Sequence, residues 1–467
     1  MNRLRWLCCF LCWCSLWQVR LLAEQPNIVF IYCDDARWDT LGVVQREQGD
    51  AARFPWIQTP HLDALAGQSI RFRQSFVVHS LCSPGRAAVL TSTYGHHNGI
   101  IGNRTPLNPE LPNVAKQLRA AGYRTGYFGK WHMDSQEERP GFDRVASFVG
   151  QGRYQDCPLL VDGQRTETEG WVDDVTTGYA IEFLEEQTED RPFLLWLGFK
   201  SPHGPRGGEN LPPRARGLYA GQKSGDVPNL HTPAIYLTSD ERQKRARRLG
   251  ADTVSPGHLD FARHISALDT CVGRLIAALD RSPHADRTVV IFTSDNGYYL
   301  GEHQLGDKRS AYDEALRVPL IIRMPGDDAP RGVTNDAMVL NLDYAPTMLQ
   351  LAGAERLPEG QGKSLVPILQ GRTPQDWRTE FFYEYFHEAP FRAPTTLALR
   401  TTRHKLIVYP GNESWTELFD LQNDPYETSN LVSDASLRKE MVAAFEAAAK
   451  QSGIDLSQPL PTPPDKP

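Results

Sequence analysis

Little in this chain would support a membrane span, a disulfide framework or a nucleic-acid surface. Its one sizeable apolar run, Trp6 to Trp17, is too short to cross a bilayer, and no later segment is apolar enough to do so. Acidic residues outnumber basic ones, 57 to 50, and the net charge of −7 argues against a dominant basic face for nucleic acid. Cysteine is scarce at eight in 467 residues, and Cys8, Cys9, Cys12 and Cys14 all sit at the extreme N-terminus. There, two arginines precede the short apolar run, which is the grammar of a signal peptide over residues 1–23. Export to a periplasm or the cell exterior follows, or to a lysosome in a eukaryote, and the mature chain keeps no transmembrane segment. Cys33, Cys82, Cys157 and Cys271 then remain, too few for a disulfide scaffold. Cys33 at a strand end and Cys271 in a helix are expected as buried thiols. No internal repeat is visible.

Apolar runs with helical patterns between them are what the chain does contain. Asn27–Cys33, Phe193–Phe199, Val289–Thr293 and Val318–Ile322 read as strands buried on both faces. Asn113–Ala121, Asp174–Glu186 and His258–Leu279 carry helical periodicity. This alternation predicts an α/β fold, a large mostly parallel or mixed sheet flanked by helices, over residues 24–376. Sites in such sheets form at the carboxyl ends of strands, and acidic and histidine residues cluster there after Cys33, Phe199 and Thr293. Gly204–Gly257, rich in glycine, proline and charge, reads as a long excursion over that face. Within it, the basic run Glu241–Arg248 is either a solvated helix face or a contact for an anionic ligand. Asn341–Ala352 reads as a helix, followed by a turn-rich linker. Residues 377–455 predict a small C-terminal α+β subdomain, with strands at Thr379–Tyr385, Thr396–Arg400 and His404–Tyr409 and a helix at Ser436–Gln451. The proline-rich stretch 456–467 predicts a disordered tail.

The segment His79–Ser92, HSLCSPGRAAVLTS, sets Cys82 four residues before Arg86, with Pro84 between, where a helix should begin. Alone, such a cysteine is most often an inert buried thiol. Four companions stand in order along the chain: PNIVFIYCDDARWD (Pro26–Asp39), GYRTGYFGKWH (Gly122–His132), GFKSPHGP (Gly198–Pro205) and TVVIFTSDNGYYLGEHQLGDK (Thr288–Lys308). Together with C-x-P-x-R at Cys82–Arg86 they resemble the formylglycine-dependent (type I) sulfatases of the alkaline-phosphatase-like superfamily. Ser92 departs from the glycine usual in that family's motif, and Gly85 from the usual serine.

The resemblance implies a calcium ion, with magnesium also open, held by Asp34, Asp35, Asp295, Asn296 and the modified Cys82. Oxygen ligands of this kind suit a hard cation. It implies enzymatic conversion of Cys82 to formylglycine (3-oxoalanine) by a formylglycine-generating or sulfatase-maturing enzyme. Arg86 would hold the hydrated aldehyde by charge-assisted hydrogen bonds at a helix N-terminus that favours anions. Lys130 and Lys308 would clamp the sulfate. His132, which shares a strand face with Lys130 by i, i+2 spacing, would act as base, and His203 would protonate the leaving alcohol. Catalysis would proceed in two covalent steps, the second hydroxyl of the hydrate giving an internal exit for sulfate.

Arg139–Asp156 and Trp377–Glu388 resemble the N-acetylglucosamine-6-sulfatase and mucin-desulfating branch, which implies a sulfated carbohydrate as substrate. Lys200, His387 and Arg392 are further candidates for substrate contact. His303 in GEHQLG is given no chemical role. Three other readings stand beside this one: a broad arylsulfatase, a phosphate or phosphonate ester hydrolase, and a non-catalytic glycan-binding relative.

Overall fold

The computed structural model describes residues 25–133, 138–251 and 256–464. The segment read as a signal peptide lies outside the described residues, as do the side chains of Arg247 and Arg248. A ten-stranded sheet forms the centre, in the order Val333–Asn335, Ile70–Phe72, Leu320–Arg323, Thr288–Ser294, Asn27–Asp34, Phe193–Pro202, Arg124–Lys130, Arg144–Phe148, Leu159–Val161, Gln164–Thr166. The five strands from Thr288–Ser294 to Arg144–Phe148 run parallel. Leu320–Arg323 is antiparallel to both neighbours, so the sheet is mixed.

Strand Asn27–Asp34 is buried along its whole length because both faces are covered. Its side chains alternate. Val29, Ile31 and Cys33 meet one core with Leu268, Cys271 and Leu275 of helix Pro256–Arg281 and Phe183 of helix Val172–Glu185. Ile28, Phe30 and Tyr32 meet a second core with Trp196, Leu118 and Met348. Burial of such apolar side chains stabilises the fold by roughly 1.5–3 kcal/mol each. Cys33, Cys82, Cys157 and Cys271 are all buried free thiols.

The C-terminal unit is an antiparallel sheet of Glu380–Tyr385, Thr396–Thr401, His404–Val408 and Glu417–Asp420, with helix Ala435–Ser452 against it. Asp434 caps that helix by accepting from the Ser436 and Leu437 amides. The unit shares a core with the segment leading to Cys82: Phe76, Val78, Leu81 and Ala88 pack with Phe382, Tyr383 and Leu399. The Glu384 amide donates to Val78 O at 3.0 Å, and the Ser80 and Tyr383 hydroxyls meet at 2.6 Å. The small subdomain therefore helps to fix the segment that carries the candidate nucleophile. Of the stretch read as a disordered tail, residues 456–464 are described and 465–467 lie outside the described residues. Leu460 packs on this core and Pro463 is buried against Gly102, because apolar proline and leucine side chains here find a surface to cover.

Candidate active site

Three strand ends and one helix N-terminus converge. Asp34 ends one strand and Asp35 follows it, Asp295 and Asn296 follow the neighbouring strand, and Lys130 ends a third. Cys82 opens helix Cys82–Thr91, every residue of which is buried. Two close backbone approaches make the convergence tight. A Cβ on Gly85 would stand 2.6 Å from Asp295 O, so here the helix lies directly on the Asp295 loop and a side chain at this position would push the two apart. A Cβ on Gly129, at φ +99°, would stand 2.0 Å from Gly198 O, where the strand bearing Lys130 passes the strand leading to His203. Ser92, in place of the expected glycine, adopts a left-handed φ of 58° and offsets that cost by donating to Leu342 O at 2.7 Å.

Around Cys82 the charges interlock. Lys308 Nζ lies 2.9 Å from Cys82 Sγ and also bonds Asp35, while Sγ lies 3.4 Å from Asp34 Oδ1. Lys130 pairs with Asp34, and Arg86 holds Asp295 Oδ2 at 2.9–3.0 Å and Lys130 O at 2.7 Å. Burial pushes the Cys82 thiol up to about 12, with Asp34 adding to it, so the encoded thiol is protonated and a poor nucleophile at neutral pH. Burial and the neighbouring Asp34 push Asp295 up to about 7. Against burial, Lys130 and then His203 hold Asp34 well below the carboxylate range, and Asp35 holds the Lys308 ammonium well above its own.

His132 does not share a strand face with Lys130. The strand ends at Lys130, and His132 lies beyond it at φ 52°, so the two converge through a left-handed turn rather than through alternation. Gln151 links them, accepting from Lys130 Nζ at 2.7 Å and meeting His132 Nε2 at 3.0 Å. Burial, then Lys130, hold His132 well below its ordinary value, so it is neutral and able to take a proton. A ring nitrogen of His203 lies within 4.8 Å of both Cys82 Sγ and an Asp34 carboxylate oxygen. Its Nδ1 bonds Gly204 O at 2.6 Å, and Tyr154 Oη donates to its carbonyl at 2.6 Å. Burial, then Lys130, bring His203 down to about 3 in the absence of substrate.

Lys200 is not a wall of the cleft. It is fully buried, donates to Gln151 O at 2.8 Å and lies 4.9 Å over the Tyr154 ring, bracing the His203 loop from beneath. Asp173 does the same, accepting from the Lys200 and Ser201 amides. His387 and Arg392 also fall short of the catalytic cleft. His387 turns its Nδ1 to Ala393 O, and Arg392 pairs with Glu241 at 2.8 Å at the edge of a hollow beside that cleft. The cleft above Cys82, about 450 Å³, is walled instead by Asn103, Arg104, Gln151, Arg309, Glu388 and Phe391. Arg309 and Glu388 are neighbours in sequence of the nominated Lys308 and His387, and pair at 3.1 Å. His303 is buried and stacks on Tyr312 at 3.7 Å, a packing role.

The donor set fits a hard divalent cation. One carboxylate oxygen from each of Asp34, Asp35 and Asp295 falls within 4.8 Å of the others, all three residues are buried, and Asn296 Oδ1 is buried without a hydrogen-bond partner. The carboxylates are paired here with Lys130, Lys308 and Arg86, while the buried Asn296 oxygen has no partner, and these oxygens together are the ligand type a hard cation takes.

The large mixed sheet flanked by helices, with the small antiparallel C-terminal sheet, is a fold of the alkaline-phosphatase-like type. A phosphonate monoester hydrolase from Agrobacterium radiobacter shares the fold at TM-score 0.71 and 22% identity, over 92% of this chain and 95% of that one. The family model "Sulfatase" matches residues 26–354, and "N-sulphoglucosamine sulphohydrolase, C-terminal" matches 301–451. The chain belongs to the sulfatase family and is a sulfatase. It is 30% identical to an N-acetylglucosamine-6-O-sulfatase of Bacteroides thetaiotaomicron over 92% of its own length and 87% of the relative's. It is likewise 30% identical to an ulvan-active sulfatase of Formosa agariphila, over 87% and 77%. A solved structure in complex with its substrate D-glucosamine-2-N,6-O-disulfate aligns at TM-score 0.80 and 29% identity, covering 92% and 98%.

Proposed function

We propose that this chain removes an O-sulfate from a sugar of a sulfated glycan, using a formylglycine made from Cys82 by a maturing enzyme and a calcium ion held by Asp34, Asp35, Asp295 and Asn296. The observation that carries the reading is Cys82 Sγ at a helix N-terminus, 2.9 Å from Lys308, beside the carboxylate cluster. A thiol held at about 12 gains nothing from that setting, whereas a hydrated aldehyde at the same point supplies an oxygen nucleophile with a second hydroxyl for release. The cation supplies charge for the sulfate oxygens.

The chain's own residues do the rest. Lys130 and Lys308 exchange their carboxylate partners for sulfate oxygens once the carboxylates hold the ion. Arg86, fixed on Asp295 and Lys130 O, keeps the helix N-terminus against the strand ends. His132, neutral and oriented by Gln151, takes a proton from the nucleophile's hydroxyl. His203 gives a proton to the departing sugar oxygen, and the negative charge of a bound ester favours the imidazolium this needs. Export, as the leader suggests, fits a glycan outside the cytoplasm.

The test is a comparison of kcat/KM for the matured enzyme on N-acetylglucosamine 6-sulfate, nitrophenyl sulfate and nitrophenyl phosphate. The sulfated sugar is expected to be turned over fastest and the phosphate slowest. Phosphate as the preferred ester would contradict the reading.

A further inference from the structure

Beside the catalytic cleft lies a second chamber of about 530 Å³ that shares Asp307, Arg309 and Phe391 with it. Its other walls include Tyr236, Gln304, Arg245 and Arg392. Arg245 stands on helix Ser239–Ala251, in the basic run of the long excursion, and Arg392 on the loop after strand Glu380–Tyr385. Two parts of the chain far apart in sequence therefore each send an arginine to one hollow next to the sulfate floor. Three arginines line it; Arg309 is taken up by Asp307 and Glu388, which leaves Arg245 and Arg392 with Glu241. Phe391, one of few large apolar side chains that are exposed, forms the doorway with the Arg309 guanidinium 3.3 Å over its ring. An aromatic ring there can carry the apolar face of a sugar, and the guanidinium groups suit sulfate or carboxylate.

We propose that this chamber holds a second anionic group of the glycan, gripped by Arg245 and Arg392, so that the enzyme selects substrates carrying two negative groups. The inference rests on reading the floor as the sulfate-ester site. Arg392 is bonded to Glu241 in a solvent-facing pair, 71% and 19% exposed, which is a weak bond to exchange for an incoming anion. Arg245 Nη1 is anchored on Gln304 O at 2.5 Å, which fixes its direction without neutralising it. The second anion can be an N-sulfate on the same ring or an acid on the neighbouring sugar, and both present the same chemistry.

Binding separates this from turnover. Full-length Cys82→Ala protein is titrated calorimetrically with N-acetylglucosamine 6-sulfate, with glucosamine-2-N,6-O-disulfate, and with a disaccharide joining N-acetylglucosamine 6-sulfate to a uronic acid. Arg392→Ala and Arg245→Ala are expected to weaken at least one of the two dianionic ligands by about tenfold and leave the monosulfated sugar within about twofold. The affected ligand identifies the source of the anion. Glu241→Gln, which keeps an acceptor for the Thr238 amide while releasing Arg392, is expected to tighten the same ligand. Equal effects on all three ligands, or none on any, would overturn the proposal. Turnover of nitrophenyl sulfate by wild-type enzyme judges the floor separately, since that ester has nothing to place in the chamber.

Discussion

The floor and the rim of one cleft are built on opposite plans. On the floor, Asp34, Asp35, Lys130, Arg86, Asp295 and Lys308 are buried and interlocked, and strand ends and a helix start fix all of them but Lys308, which stands on a loop. On the rim, Arg104, Phe391 and Arg392 stand on loops, and their partners are a backbone carbonyl, the Arg309 guanidinium and a surface carboxylate. A buried charge without its partner costs several kcal/mol, so the floor and the buried Arg309–Glu388 pair tolerate little change, whereas the exposed Arg392–Glu241 pair is worth little to stability and can vary with the substrate. The difference assigns chemistry to the floor and choice of sugar to the rim.

If this division holds, floor changes should lower kcat and rim changes should raise KM. Cys82→Ala is expected to reduce kcat/KM on any sulfate ester by about 10⁴-fold or more while circular dichroism stays unchanged. Lys308→Ala, which removes a cation against the nucleophile and strands Asp35, should lower kcat by about 10²–10³-fold on both a sulfated sugar and an aryl sulfate. Lys200 tests the layer under the floor. Burial lowers it from 10.5 to about 8, so its folded state holds fewer protons than the unfolded chain between those values. Wild type should therefore gain stability relative to Lys200→Met as pH rises from 8 to 10.5, by up to about 3 kcal/mol in denaturant melts. The smallest effect belongs to the rim. Arg104→Ala should raise KM for the sulfated sugar about three- to tenfold with kcat and aryl sulfate turnover kept. A rim variant that lowered kcat on both esters would erase the distinction.

The same contrast governs what could be read from the sequence. Buried parallel strands write themselves as continuous apolar runs, so Asn27–Cys33, Phe193–Phe199 and Val289–Thr293 were legible, and with them the strand-end positions of Asp34, Asp35 and Asp295. C-x-P-x-R marked the helix start because its spacing is fixed by local geometry. Gln151, Asp173 and the direction of Lys200 were not legible. Each acts through a contact some 20–50 residues away, and no local pattern encodes which way a lysine turns at a strand end. His132 was placed on a strand face by spacing alone, and its positive φ depends on the turn that ends the strand. Glu388 lines the cleft where its neighbour His387 does not, and adjacent polar residues on a loop carry no periodicity to separate them. The contacts of Leu460 and Pro463 depend on a surface that only the folded chain presents.

The measurement that bears most directly on the account is a tryptic mass spectrum of the protein from its native source. The peptide Gln74–Arg86 contains Cys82 and no other cleavage site. The account expects the thiol of Cys82 to be replaced by an aldehyde oxygen in the active fraction. An alkylatable, unmodified thiol in protein that hydrolyses sulfate esters would contradict it.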